Sequence, residues 1–378
     1  MKPLSWITLF FAFVNGCSSR SDQLTLLPLT QQTTAPTFLG GSGEHDLWAR
    51  GSFGAALDTI VHWDGSAFSE VIPADHLADL QEAYNGAVVS GITSAGPNAL
   101  WILGGTGHGV FKLSADGTVE DHTAEFPADG GTRLIASNGT DTYVVVDDAA
   151  TPGSTNLYGA KSGAFALVAA LPGNPDALRV MPDGGVWVAR ATDTMHPDPA
   201  LLRLDGTTWT EIATTGFAVD VFVKQAAFIA PDNILVVTTP CTDSLNPNVP
   251  PTAMVLQHYD GTTVTAETAG SGADCWQAGN DISHLGTIGT IPLANGAVGS
   301  LVIRYDESNG SEHIEGDLTM TVWDGTHVSG DVQLAHLFDD CYATLCTEPR
   351  LSAVLLDGTV VMTPQVAPLG LLVGKPHA

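Results

Sequence analysis

Residues 47–71 read LWARGSFGAALDTIVHWDGSAFSEV. An aromatic-rich apolar run is followed by a Gly-rich bend, a second run ending in His62-Trp63-Asp64-Gly65, and a third run. Each run has the length and the β-branched or aromatic character of a strand. Asp-Gly between two such runs is a strong short hairpin signal, and it predicts a tight turn whose two central residues both take positive φ.

The stretch recurs. HWDGSAF (62–68) is echoed by RLDGTTW (203–209), HYDGTTV (258–264) and VWDGTHV (322–328), more weakly by LSADGTV (113–119), and degenerately by YGAKSGAF (158–165). A strand led by turn residues precedes each of the first copies: DLWARG (46–51), ALWILG (99–104), DTYVVV (141–146), GVWVAR (185–190) and NILVVT (233–238). Upstream lie further apolar runs, such as TRLIASNG (132–139) and ALRVMPDG (177–184), each closed by a turn residue. The unit is therefore four strands. Successive copies lie from 43 residues (162 to 205) to 64 residues (260 to 324) apart. Four strands repeated at this spacing are the signature of an all-β propeller of radially stacked blades.

A last unit is split between the chain ends. RLSAVLLDGTVVMTP (350–364) and LGLLVG (369–374) provide three strands, and QLTLLPL (23–29) is expected to supply the fourth. That closure removes an exposed sheet edge. The expectation is seven four-stranded blades over 23–378, or six if the unit around 284–333 is misread. Trp48, Trp101, Tyr143 and Trp187 hold one equivalent position and are expected between blades, as core. His62 and His258 share a slot with Arg203, which points to a structural role. ADHLADLQEAY (74–84) is the clearest helix candidate, with Leu77, Leu80 and Tyr84 on one face.

Trp48, His62, Asp64, Gly65, Trp101, Trp187, Asp205, Gly206 and Trp209 carry a resemblance to the D-x-W / H-x-D-G-x-x-W propeller repeats of myxobacterial-type surface lipoproteins. The resemblance implies the fold and says little about activity. The Asp-box of sialidases is not met, since Asp and Gly are adjacent here, and no sialidase residue is carried over.

The start of the chain addresses compartment. LSWITLFFAFV (4–14) is an apolar run too short to span a bilayer and reads as the core of a signal peptide, 1–16. VNGCSSR (14–20) resembles the lipobox of bacterial lipoproteins, which implies lipidation of Cys17, a tether over 17–22, and residence in the cell envelope as an outer-membrane lipoprotein. Membrane attachment would be through the lipid alone. Four cysteines remain: Cys241, Cys275, Cys341 and Cys346. An even number in an exported chain suggests two disulfides with three possible connectivities. Cys241–Cys275 and Cys341–Cys346 close the shortest loops. Without a CxxC pair, a four-cysteine metal site is disfavoured.

Net charge is −28, with 41 acidic against 13 Lys and Arg residues. Such a surface repels nucleic acid and anionic headgroups. No HExxH, GxSxG or P-loop motif occurs, and LGGTGHG (103–109) sits between two strands, where it reads as a bend.

The extra length concentrates in loops expected on one face: 238–252, 269–283, 304–317 and 335–348. They hold an acidic cluster, Asp306, Glu307, Glu312, Glu315 and Asp317, of a type that suits Ca²⁺. They also hold a candidate ligand face of Trp276, His336, Phe338, Asp339, Asp340 and Tyr342. No other cofactor is expected. The function expected is a non-catalytic, surface-anchored, monomeric propeller presenting this face to an envelope or extracellular protein or glycan. The alternative is a glycan hydrolase or lyase, signalled by carboxylates converging at the central channel. A purely structural envelope role is third.

Overall fold

The structure is a computed structural model. It describes residues 23–377 except 30–35, 54–55, 76–79, 81–90, 105–108, 152, 162, 193–197, 215–218, 220–221, 224–226, 240–253, 270–285, 294–297, 307–312, 324–327, 343–349, 356 and 364–369. Among the described residues no helix is long and apolar enough to cross a membrane.

Strand β1 (Thr25–Pro28) comes first and is used last. The first antiparallel meander is β2 (Thr37–Gly43), β3 (Asp46–Phe53), β4 (Ala56–Trp63) and β5 (Phe68–Val71). The second is β6 (Ile92–Ser94), β7 (Ala99–Leu103), β8 (Val110–Ser114) and β9 (Val119–Asp121). The third is β10 (Thr132–Ser137), β11 (Asp141–Asp147), β12 (Thr155–Lys161) and β13 (Ala166–Leu171). The fourth is β14 (Pro175–Val180), β15 (Val186–Arg190), β16 (Ala200–Asp205) and β17 (Thr208–Thr214). The fifth is β18 (Ala227–Ala230), β19 (Asn233–Thr239), β20 (Met254–Tyr259) and β21 (Thr263–Ala269). The sixth is β22 (Gly286–Pro292), β23 (Val298–Asp306), β24 (His313–Trp323) and β25 (Val328–Tyr342). In the last, β26 (Arg350–Val354), β27 (Val360–Thr363) and β28 (Gly370–Gly374) are completed by β1, with Thr25 opposite Val373 and Pro28 opposite Gly370.

The innermost strands follow one another around an axis: β26 lies beside β2, β2 beside β6, β6 beside β10, β10 beside β14, β18 beside β22, and β22 beside β26. The fourth and fifth meanders meet at their outer strands. There β17 and β21 pair in parallel, Ala213 opposite Thr263 and Thr214 opposite Val264, merging two blades into one eight-stranded sheet. The protein is a β-propeller.

Stacking of blades creates the core, because one twisted sheet cannot bury both faces alone. Trp48 packs with Leu100, Ile102 and Phe111 of the second blade. Trp101 packs with Ile135, Val144 and Phe165 of the third, Tyr143 with Val180 and Val186 of the fourth, and Trp187 with Ile234 and Tyr259 of the fifth. All four rings are buried. Each of these four repeats thus places one aromatic side chain against the next blade, as their equivalent positions predict. Of the expected helix 74–84, Leu80 is helical and fully buried in the Trp48 cluster, while Leu77 and Tyr84 lie outside the described residues.

One strand glycine is set by this packing. In the third blade Tyr143 stands opposite Gly159. A Cβ on Gly159 would lie 2.7 Å from the Tyr143 ring. Gly159→Ala is expected to cost about 1–3 kcal/mol by overpacking. In a Tyr143→Leu background the cost should fall by more than half, which urea denaturation of the four proteins would measure.

The Asp-Gly turns form where predicted but by different chemistry. Gly65, Gly117 and Gly261 take positive φ, and the aspartates before them do not. Asp64 Oδ1 instead accepts the N–H groups of Ser66 (2.8 Å) and Ala67 (2.9 Å) and the Ser66 hydroxyl. Asp116 and Asp260 accept backbone N–H groups in the same way. The aspartate side chain replaces a backbone acceptor, so only the glycine needs the left-handed region. Those bonds, the Ser66 hydroxyl foremost, hold the exposed Asp64 carboxyl at about 2.

A second correction concerns the sixth blade. Residues 335–342 were expected in a loop; they continue strand β25. His336 stands opposite Asp317, Phe338 opposite Gly316, Cys341 opposite Ile314 and Tyr342 opposite His313, and four register shifts absorb the irregular sequence. Pairing satisfies backbone groups that a loop would leave to solvent, and the bulges accommodate residues of poor β-propensity such as Asp339 and Asp340.

Candidate functional site

At the mouth where the turns between first and second strands converge, the axis of the propeller holds a cavity of about 620 Å³. Its wall comes from the inner strands β2, β6, β10, β14 and β26 and from their turns. The wall mixes apolar residues, Leu39, Ile92 and Leu355 among them, with hydroxyl and amide residues such as Ser94, Asn138 and Thr140.

Several of these groups are fixed by bonds of their own. Asn138 Oδ1 accepts the N–H groups of Thr140 and Asp141, and its Nδ2 donates to the Met181 carbonyl at 3.2 Å, tying the third blade to the fourth. Ser137 Oγ accepts from Gly139 N–H and from the Thr142 hydroxyl, each at 3.0 Å. Ser42 donates both its N–H (3.1 Å) and its hydroxyl (2.5 Å) to Asp46 Oδ2.

Asp46 leads inward to a buried polar network that braces the wall. Its Oδ1 accepts from His62 Nε2 at 2.7 Å and from Trp48 Nε1 at 3.2 Å. Asp46 is 7 % exposed and His62 3 %. Burial pushes the Asp46 carboxyl up, but the bonds from His62 and Ser42 outweigh it and leave the group below its ordinary value. In this network the carboxylate lies between serine and histidine, so the histidine cannot serve the serine as a base. The arrangement recurs in the fifth blade, where His258 Nε2 lies 3.1 Å from Asn233 Oδ1. Where Gly185 takes the place of the acid, the third-strand slot is Arg203, which turns to Asp205 and to the Tyr259 hydroxyl.

Two charged residues belong to the cavity lining among the described residues, Arg179 and Asp357. Asp357 carries an ion pair with Lys375 at 2.8 Å and accepts the Thr359 N–H at 3.0 Å. Burial raises its carboxyl, and the bonds from Lys375 and Thr359 bring it below its usual value. Arg179 lies on β14 opposite Trp187, and its Nη1 donates to the Val223 carbonyl at 3.4 Å. Desolvation lowers its pKa to about 10, which leaves it charged at neutral pH.

Of the candidate site residues singled out from the sequence, none of the described ones lines this mouth. Cys17, Cys241, Cys275, Cys346, Trp276, Glu307 and Glu312 lie outside the described residues, and Cys341 is in β25. Asp306 and Glu315 are cross-strand partners in the sixth blade. Asp317 accepts from Gln333 Nε2 at 3.0 Å. Among the described residues no three His, Cys, Asp or Glu side chains are placed to hold a metal ion.

Sequence reading missed Arg179 and Asp46. Arg179 is one of 13 basic residues in the chain and falls within an apolar inner-strand run, ALRVMPDG, which was a legible oddity. Asp46 could have been found by noting that an acid or amide two residues before the second-strand core position travels with a histidine in the third strand, at 46 and 62 and again at 233 and 258.

Neither a protein-family model nor a curated protein matches the chain. Among solved structures, the chain is similar to virginiamycin B lyase from Staphylococcus aureus, in a catalytically inactive form with quinupristin, at 12 % identity over 93 % of this chain and 99 % of that one, with a TM-score of 0.47. The β-propeller domain of the Trilobed protease from Pyrococcus furiosus gives 12 % identity over 91 % and 93 % of the two chains, with a TM-score of 0.46. An Aleuria aurantia lectin gives 12 % over 82 % and 98 %, with a TM-score of 0.35. These likenesses concern fold alone.

Proposed function

We propose that the protein is a non-catalytic binding propeller whose channel mouth takes a saccharide. The observation that carries this reading is the wall of the 620 Å³ cavity, where hydroxyl and amide residues stand among apolar ones, a mix that suits the polar edges and apolar faces of a sugar. Hydrolysis of a glycan would call for two carboxylates facing a scissile bond. The described lining offers Asp357, and that group is held by Lys375. The same reading keeps lipidated Cys17 as the anchor in the bacterial outer membrane. It keeps the two disulfides: Cys241–Cys275 as a bridge between two long segments, and Cys341–Cys346 as a tie from the end of β25 to the segment after it. Those loops would present a second face to an envelope or extracellular protein, with Ca²⁺ at the 306–317 segment a further proposal.

The test uses the full chain with Cys17→Ser, which cannot be lipidated, on an immobilised glycan panel. Binding to a defined set of saccharides is expected, and it should be lost in Thr140→Trp, where an exposed rim residue is enlarged to block the mouth. Cleavage of a bound saccharide, seen by mass spectrometry, would establish a hydrolase or lyase instead.

A further inference from the structure

We propose that the channel mouth faces the membrane in which the chain is anchored, and that the saccharide it takes is the uncharged sugar headgroup of a lipid. The inference rests on the reading of Cys17 as the lipid anchor and of the cavity as a saccharide site, and it adds a direction to the first and a source to the second.

The chain closure fixes the direction. In the last blade β26 runs to the mouth, β27 away from it and β28 back to it, so β28 ends at Gly374 on the mouth side, opposite Val360. Strand β1 pairs antiparallel with β28 and therefore starts on that side, with Thr25 opposite Val373. Bonds lead from the cavity to this point. Asp357 of the lining holds Lys375, and two residues further on His377 is clasped by Gln23. Gln23 is also held by the sixth blade, its N–H donating to the Leu334 carbonyl at 2.8 Å. The tether over 17–22 thus leaves from a fixed point on the mouth side. Fully extended, six residues reach about 20 Å. The sixth blade, next to the closure, stands against the inverted posture. Its β24 has 11 residues, which is about 36 Å of strand. That strand passes the end of β22 away from the mouth: Gly286, where β22 starts, lies opposite Ile303, and the pairing of β23 with β24 continues to Asp306 and Glu315. An anchor about 20 Å from the mouth side does not reach past this arm to bring the opposite face onto a bilayer.

The face so presented is acidic. Asp64, Asp116, Asp183, Asp232 and Asp260 are exposed in turns on the mouth side, and Lys375 is paired with Asp357. Such a face repels phosphate headgroups over a distance of about 10 Å, so the lipid that suits it carries a neutral sugar. The cavity agrees, with hydroxyl and amide residues for the edges of a sugar and apolar residues for its faces. A shared bilayer raises the effective concentration of the headgroup at the mouth, which lets a weak sugar site be filled. The bland reading is that any propeller closed between its third and fourth strands sends its tether out on this side. It explains the orientation and predicts no preference for a glycolipid.

The experiment has two arms. In the first, the full lipidated chain is placed in phosphatidylcholine vesicles that contain an acceptor-labelled lipid. A donor dye sits on a bio-orthogonal residue at Thr140, on the mouth rim, or at Asp129, in an exposed turn between β9 and β10 on the opposite face. Energy transfer from position 140 is expected to be at least about twofold that from 129, and roughly twenty Gly-Ser residues inserted after Asp22 should erase the gap, since a flexible linker of that length spans about 25 Å in any direction. In the second arm the full Cys17→Ser chain is floated with vesicles carrying glucosyl diacylglycerol or phosphatidylglycerol. Flotation is expected with the glycolipid alone, and Thr140→Trp should abolish it. Equal transfer from the two positions, or more from 129, overturns the orientation. Flotation with phosphatidylglycerol overturns the neutral headgroup. Binding of free saccharides without flotation on the glycolipid overturns the lipid source and leaves the saccharide reading standing. Binding of neither overturns the saccharide reading and this inference with it. A chain with Cys17 intact that does not enter vesicles overturns the anchor, and the orientation falls with it.

Discussion

Asp46→Ala is expected to cost about 3–5 kcal/mol of folding stability, read as a lower midpoint in urea denaturation. The carboxylate gathers His62 Nε2, Trp48 Nε1, and the N–H and hydroxyl of Ser42. Truncation leaves the first two buried without an acceptor, and an unsatisfied buried donor costs more than a made hydrogen bond contributes. Asp46→Asn keeps a shape and one acceptor, so about half that loss is expected. A cycle with His62→Ala should show strong coupling, because the two residues share one bond. A loss below about 1 kcal/mol for Asp46→Ala would mean the network is incidental. The pH dependence has a defined sign. The folded carboxyl lies below its ordinary value of 3.8, so the native state binds its proton less readily than the unfolded chain. Its contribution is full above that value and is lost as pH falls through the lower folded value. Asp46→Ala should therefore flatten the acid limb of the stability curve.

Removal of residues 18–29 is expected to be the more damaging change, lowering stability by about 5 kcal/mol or more and causing aggregation. Strand β1 seals two interfaces at once. Leu24 belongs to the core between the sixth and last blades, and Leu29 to the core between the last and first. Both are 3 % exposed, and full burial of a leucine contributes about 1.5–3 kcal/mol. The ladder to β28 is lost as well, leaving an open edge able to pair with another chain. Gln23 adds a clasp at the chain ends, its side chain donating to the His377 carbonyl at 3.1 Å and accepting the His377 N–H at 2.7 Å. Chain continuity is not what matters here. Joining 377 to 23 by a short linker and opening the exposed turn at 149–151 should preserve stability to within about 1–2 kcal/mol. If the truncated protein is as stable as the intact one, the closing strand is decorative.

The repeats were legible because two constraints act on them locally. A hairpin needs turn residues, and a blade interface needs a large side chain at a fixed place, so Asp64-Gly65 and Trp48 repeat in recognisable form. The terminal closure was legible from a strand deficit: 350–374 holds three strands and 23–29 holds one. The aspartate's role in the turn was misread because a dipeptide does not say whether φ or a side-chain acceptor makes the bend. The sixth blade was misread because its hairpin runs through Asp, Gly and Ser residues that look like loop, and only pairing with a long partner strand holds them extended. The channel mouth was hardest to see. Ser42, Asn138, Arg179 and Asp357 come from four separate blades, and no spacing along the chain brings them together.

The parallel seam between β17 and β21 makes two blades into one cooperative unit. Other neighbours share no ladder; the last and sixth blades, for example, have the bonds of Gln23 and Leu24 N–H to the Leu334 carbonyl beside their side-chain packing. Here separation also breaks a backbone ladder, the contact of Trp187 with Tyr259 and the bond of Arg203 to the Tyr259 hydroxyl. Slowly exchanging amides of the fourth and fifth blades will therefore share one opening free energy, while the other blades report their own. The ring has a grain: it loosens first away from the seam, and the cavity, walled by the fourth blade as well as by the blades beside the chain closure, spans both kinds of joint.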